Sequence, residues 1–228
     1  MASIGHIAVG MAAARLYHDG RDPGWRSMAA WSALSMLPDA DVVGFALGVR
    51  YADPFGHRGA THSLTAALAG GIATGLAARA IERPARRTAI AATAVLASHG
   101  LLDTLTDGGL GAALLWPFDL TRFFAPWRPI PVAPTGLEFV TGGGFGVALV
   151  EVIYFLPLFL LALIPRQGRW KAGPSRAVAA ATAMVLAVGC CMVVAQVALR
   201  RSALVSRLEA PVLQELALKE QRHRVRHP

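Results

Sequence analysis

Residues Thr88 to Leu105 read TAIAATAVLASHGLLDTL, and the fold turns on this stretch. It approaches the roughly 20 predominantly apolar residues that one helical crossing of a bilayer requires. Near its end, however, it carries His99 and Asp103. Working outward, comparable apolar stretches lie at 64–81, 145–164 and 177–199, so four transmembrane helices are predicted. Between the first two, Glu82, Arg83, Pro84, Ala85, Arg86 and Arg87 stop one helix and start the next, giving a helical hairpin. Pro165 to Pro174 separates the last two in the same way.

The N-terminal pattern is shorter. Residues 4–17 are apolar but include His6 and Arg15, and residues 27–37 form an apolar run cut off by Pro38. They predict a hairpin of partial or tilted helices around the polar turn from Asp19 to Arg26, with no secretory signal ahead of it. Residues 38–62 and 106–144 read as loops. The second holds Trp116, Phe118, Phe123, Phe124 and Trp127, aromatics of the kind that favour the headgroup level. In 203–222, Leu204, Leu208, Val212 and Leu216 recur at helical spacing, which predicts an amphipathic surface helix. The expected fold is all-α: a polytopic membrane bundle of about 4–6 spans with an amphipathic C-terminal helix.

Composition agrees with this. Of 228 residues, 54% are hydrophobic and 16% charged, and the mean hydropathy is +0.47. A soluble domain carries about a quarter charged residues. Cys190 and Cys191 are adjacent in an apolar run, where a mutual disulfide would be strained, so they read as small packing residues. The net charge of +8 invites a nucleic-acid reading, but the 22 basic residues cluster in short turns between apolar stretches. That is how a multi-span protein marks its cytoplasmic loops, and nucleic acid is excluded as the primary partner. With 18–26, 79–87 and 165–176 inside, 38–62 and 106–144 lie outside. The seven basic residues of the tail contradict that count.

Burying His and Asp in a bilayer protein costs several kcal/mol unless they are paired or metal-bound. This chain nevertheless concentrates them: His6, Asp39, Asp41, His57, His62, His99, Asp103 and Asp107. His99 and Asp103 are four apart and share one helix face. His62 begins the span that precedes theirs, so antiparallel packing brings these ends together, and the N-terminal hairpin returns Asp39 to the end of His6. Imidazole and carboxylate without thiolate suit zinc, manganese or iron.

The strings Leu37-Pro38-Asp39-Ala40-Asp41, His57-Arg58-Gly59-Ala60-Thr61-His62-Ser63, Ser98-His99-Gly100-Leu101-Leu102-Asp103 and Leu115-Trp116-Pro117-Phe118 carry a resemblance. Together with His6, they resemble the YdjM-type family of membrane-bound, metal-dependent hydrolases over roughly residues 1–165. More distantly the pattern is similar to the zinc-dependent phospholipase C and single-strand nuclease superfamily. The resemblance implies a hydrolase-like domain over 1–165, with an additional span and basic tail over 166–228. It also implies metal ligands at His6, one of Asp39 or Asp41, one of His57 or His62, His99 and Asp103. The candidate ligand set is therefore His6, Asp39, His57, His62, His99 and Asp103, holding one or two divalent transition-metal ions, zinc foremost.

Such an ion lowers the pKa of bound water to about 7 and polarises a phosphoryl oxygen. Whichever of Asp39 and Asp41 is not a ligand serves as general base or orients a ligand imidazole, and Asp41 is the candidate. Arg58 is expected to meet an anionic substrate. Thr61 and Ser63 would add hydrogen bonds, and Asp107 would support the ligands from behind. The expected activity is hydrolysis of a phosphoester, lipid or lipid-linked, at the non-cytoplasmic face of a bacterial inner membrane, with membrane lipids as partners. The competing reading is a non-enzymatic protein whose His and Asp residues bind or conduct an ion or protons.

Overall fold

In the computed structural model the described residues are 3–19, 21–132, 140, 144–163, 183, 187–192 and 194. Among them the regular structure is helical: α1 (Ser3–Tyr17), α2 (Gly24–Met36), the one-turn α3 (Val43–Ala46), α4 (Leu64–Ala80), α5 (Ala85–Thr104) and α6 (Gly144–Leu163). Two 3-10 turns, Leu37–Val42 and Ala60–His62, carry the chain between them. Strand pairing among the described residues is limited to two isolated bridges, Thr106 with Ile130 and Ala112 with Phe123.

Local chemistry sets the boundaries. Pro38 cannot extend α2, so the chain tightens there into the 3-10 turn that carries Asp39 and Asp41. Ser63 caps α4: its hydroxyl accepts from the Ala66 N–H at 3.0 Å and donates to the Ala60 carbonyl at 2.7 Å. Ser63 thus fixes the helix start directly after His62. Pro84 precedes α5, and the hairpin of α4 and α5 closes through small buried residues on α4, namely Ala67, Gly71, Gly75 and Ala78.

α1 lies along both α2 and α6. Its contacts with α6 keep one register: the N–H groups of Ile4 and Gly5 reach Glu151, and Arg15 reaches the Ala162 carbonyl. The two helices therefore run parallel. Ala8, Ile130, Tyr154 and Phe155 fill one end of the core, while Ala14, Trp31, Ala92 and Val95 fill the other. At that second end, Arg87 binds the Tyr17 carbonyl and Asp19, which joins the α1–α2 turn to the α4–α5 turn. The loops 38–62 and 106–132 occupy the opposite end, tied by Ala113 N–H to the Arg58 carbonyl and Leu64 N–H to the Leu114 carbonyl.

Of the four expected spans, α6 alone among the described helices is long and apolar enough to cross a membrane. α4 is apolar but only 17 residues long, and α5 has 20 residues with Arg86, Arg87, His99 and Asp103 among them. The stretch 177–199 lies outside the described residues except for positions 183, 187–192 and 194, and the 203–222 tail lies wholly outside them. Leu68, Ile72 and Leu76 on α4, with Leu149, Leu156 and Leu160 on α6, stand exposed as apolar faces.

Candidate metal centre

Four segments deliver the cluster. The 3-10 turn after α2 brings Asp39 and Asp41, the turn before α4 brings His62, α5 brings His99 and Asp103, and α1 brings His6. Gly100 makes the meeting of the second and third possible. A Cβ at that position would run into the His62 carbonyl, so the backbone of the His62 turn rests directly on α5.

The nearest atoms are the Nε2 of His62 and of His99, 3.1 Å apart. Asp39 Oδ1 lies 3.4 Å from His62 Nε2 and 3.3 Å from His99 Nε2. Asp103 Oδ2 lies 3.2 Å and 3.9 Å from the same two nitrogens. A tetrahedral zinc with bonds of about 2.0–2.2 Å needs donors about 3.3–3.6 Å apart, and these separations bracket that range. Asp39, His62, His99 and Asp103 are all buried. Neither oxygen of Asp39 nor Oδ2 of Asp103 makes a hydrogen bond of good geometry, although imidazole nitrogens stand 3.2–3.4 Å from Asp39 Oδ1 and Asp103 Oδ2 and Arg58 Nε 3.2 Å from Asp103 Oδ2, so these carboxylates keep acceptor capacity for a cation. With the imidazoles neutral, as metal ligation requires, Asp39, Asp41 and Asp103 together with Arg58 leave two surplus negative charges, the number a divalent ion would neutralise. On geometry, burial and charge, these residues could hold a metal ion.

The imidazoles are oriented from behind. His99 Nδ1–H donates to the Ser35 carbonyl at 2.7 Å, which turns Nε2 toward the cluster. His62 Nδ1 faces Asp41 Oδ2 at 3.2 Å and Thr61 Oγ1 at 3.0 Å. Asp41 also accepts from His57 Nδ1 at 2.7 Å, from Thr61 Oγ1 at 2.6 Å and from the Arg58 backbone N–H at 3.3 Å. Its two oxygens are thereby engaged, and it orients His62. Burial alone would raise the carboxyls of Asp39 and Asp41, but the close imidazoles of His62 and His99 beside Asp39, and those of His57 and His62 with the Thr61 hydroxyl beside Asp41, hold both well below the usual range. Burial alone would lower His62, yet Asp103, Asp39 and Asp41 push it up to about 10.

The remaining expected site residues fall in different places. His6 is fully buried with its ring stacked on His99 at 3.7 Å, and its Nε2 lies 3.6 Å from Asp103 Oδ1, outside the four-donor set. His57 joins Asp41 and His62 in a second trio within metal reach, where its 2.7 Å approach to Asp41 is a hydrogen bond. Arg58 is not presented to an outside anion. It is 1% exposed, and its guanidinium binds Thr106 Oγ1 at 2.7 Å, the Gly108 carbonyl at 3.0 Å and, through Nε, Asp103 Oδ2 at 3.2 Å. Its backbone sits at φ 63°, a conformation costing about 1–2 kcal/mol for an L side chain, and the inward contacts offset it. Ser63 serves α4 as its cap. Asp107 accepts from the Val132 N–H at 2.8 Å and so fastens the outer loop.

Sequence reasoning missed Ser35, Thr106, Arg122 and Glu151. The first two act through a backbone carbonyl and a short hydroxyl, which carry no spacing signal. Arg122 ties its loop to the carbonyls of His57, Tyr51 and Asp53. Glu151 did carry a signal, being an acid inside the most apolar helix.

Comparison with known proteins gives a consistent answer. No solved structure matches the chain. It is 43% identical over 139 residues to Inner membrane protein YbcI of Escherichia coli (strain K12), covering 60% of this chain and 80% of that protein. The profile of the family described as YdjM inner membrane protein matches residues 1–199, which takes in the 177–199 stretch as well. Both descriptions name the inner membrane, the location expected for this chain from its sequence. With a match of that extent, and the motif residues gathered into one buried His and Asp cluster, the chain belongs to the YdjM inner membrane protein family.

Proposed function

We propose that this chain is an integral inner-membrane hydrolase that uses one divalent ion, zinc foremost, held by Asp39, His62, His99 and Asp103 to cleave a phosphoester. The observation that carries the reading is the buried set of two imidazoles and two carboxylates, with the imidazole–imidazole and imidazole–carboxylate separations between 3.1 and 3.9 Å. When bound, such an ion would supply Lewis acidity toward a phosphoryl oxygen and lower the pKa of a bound water to about 7. The chain's own residues do the rest. Asp41 and Ser35 hold His62 and His99 in the tautomers that leave Nε2 free, and Arg58 fixes Asp103.

In this reading α4, α5 and α6, together with the short N-terminal hairpin, form a polytopic bundle. The exposed apolar faces of α4 and α6 support it. The basic turns at 18–26 and 82–87 share one end, which the positive-inside rule assigns to the cytoplasm, so the cluster lies toward the other face. A centre at that boundary suits a lipid or lipid-linked phosphoester.

Elemental analysis of purified protein should return about one transition-metal ion per chain, lost on His99→Ala and on Asp103→Ala. A chelator should stop turnover of a generic phosphodiester. Metal-free wild type with correctly folded variants would overturn the reading.

One observation favours a second reading, an ion-binding membrane protein without hydrolytic activity. The chain supplies four donors in a buried site, whereas catalytic zinc keeps one position open. Full metal content with no turnover on any phosphoester would select it.

A further inference from the structure

Glu151 is a lone acid in α6, 2% exposed, on a helix with no other charged residue. A carboxylate there is costly unless it has partners. Its partners are the first N–H groups of α1: Oε2 accepts from Ile4 at 2.9 Å and from Gly5 at 3.4 Å. Opening N–H groups of a helix have no partner within their own helix, so the acid on α6 completes the start of α1.

The next residue is His6. Gly5 rests on the Phe155 ring with no space for a Cβ, which brings α1 against α6 one turn beyond Glu151. At the other end of the same pair, Arg15 Nε and Nη2 donate to the Ala162 carbonyl at 3.0 and 2.5 Å. Two buried polar contacts at opposite ends of α1 thus fix both its depth and its rotation. A slip of one residue would turn His6 by about 100° away from the cluster. In the observed register the His6 ring stacks on His99, and its Nε2 faces Asp103 Oδ1, the oxygen turned away from His62 and His99.

From this geometry we infer that Glu151 is a positioning residue for the metal centre, acting through the first turn of α1 to seat His6 against Asp103 and His99. Partners behind metal ligands set their orientation, and losing one costs about 10–100-fold in metal affinity. The affinity arm of the test rests on the metal-centre reading. The placement of His6 does not.

Two measurements on the full chain in nanodiscs test the inference, with cobalt(II) alone as the metal probe. In metal-free protein, side-chain NMR of His6 reports its stacking on His99. Glu151→Leu should shift the His6 ring resonances and leave those of His18 in place. Glu151→Gln, which retains an oxygen to accept the two N–H groups, should restore them. For cobalt, Glu151→Leu and His6→Ala should each weaken binding about tenfold, and the double variant should weaken it no further. Unmoved His6 resonances in Glu151→Leu would overturn the inference, as would cobalt losses that multiply in the double variant. Should Glu151→Leu fail to fold, Glu151→Asp, which shortens the reach by one methylene, decides in its place. A shift confined to His6 supports the inference, and an unshifted His6 overturns it. Normal His6 behaviour under Glu151→Gln with no cobalt binding in wild type would remove the metal reading and leave the positioning of His6 intact.

Discussion

His62 and His99 point their Nε2 atoms at each other across 3.1 Å, while each Nδ1 is held from behind, by Asp41 and Thr61 in one case and by the Ser35 carbonyl in the other. Two imidazoles so arranged present two lone pairs, or one lone pair and one proton, to the same small space. Asp39 and Asp103 close that space from two further directions.

Asp41→Asn should separate orientation from ligation. An amide can still accept from Thr61 but cannot hold His57 and His62 as a carboxylate does. Metal affinity should fall about 10–100-fold, with stoichiometry recovered at saturating metal. Competition against a chromophoric chelator measures this, and an affinity equal to wild type would refute the orienting role.

The pH dependence follows from His62. Its pKa is raised from 6.5 to about 10, so in metal-free protein its contribution to stability is fully present below pH 6.5 and lost as pH rises through about 10. The thermal midpoint of metal-free protein should therefore fall over that window. Metal binding requires the neutral imidazole, so affinity should rise by up to about tenfold per pH unit below pH 10. Calorimetry in two buffers of different ionisation enthalpy counts the proton released, and a count of zero would contradict the assignment.

Arg58→Ala leaves Asp103 buried beside an empty space. Breaking a buried pair by removing one partner costs about 3–5 kcal/mol, so the loss should appear in denaturant or thermal unfolding. An Arg58 that bound substrate would instead raise KM in a variant of normal stability. The inward contacts with Thr106, Gly108 and Asp103 predict the first outcome.

Gly100→Ala puts a methyl group against the His62 carbonyl. Over-packing of this kind costs about 1–3 kcal/mol, and here it pushes the His62 turn off α5. Stability and metal content should fall together. A variant that lost stability while retaining full metal content would show that the turn can shift without parting the two imidazoles.

From the cost of burying polar groups in an apolar chain, the sequence singles out His6, Asp39, Asp41, His57, His62, His99, Asp103 and Asp107, and all but Asp107 come together in the fold. It could not divide them by role. Asp39 and Asp41 are two residues apart on one short turn, and only the rotation of that turn sends Asp39 inward to His62 and His99 and Asp41 outward to His57 and Thr61. Arg58 looked like a receptor for an outside anion because its type allows that. Its left-handed backbone, which no residue type announces, turns it to the inside.

Taken alone, the order of residues determined that the chain is helical, that its apolar stretches break at Pro38 and Pro84, and that scarce imidazoles and carboxylates gather near the ends of those stretches. These follow from local rules, namely helical period, proline geometry and the cost of burying charge, which act over a few residues at a time. Tertiary structure decided which donor atoms share one small volume and which stand behind them. It also decided that Glu151 reaches across 147 positions to the start of α1. Such contacts depend on side-chain rotamers and helix register, and both are fixed only when helices far apart in the chain pack against one another.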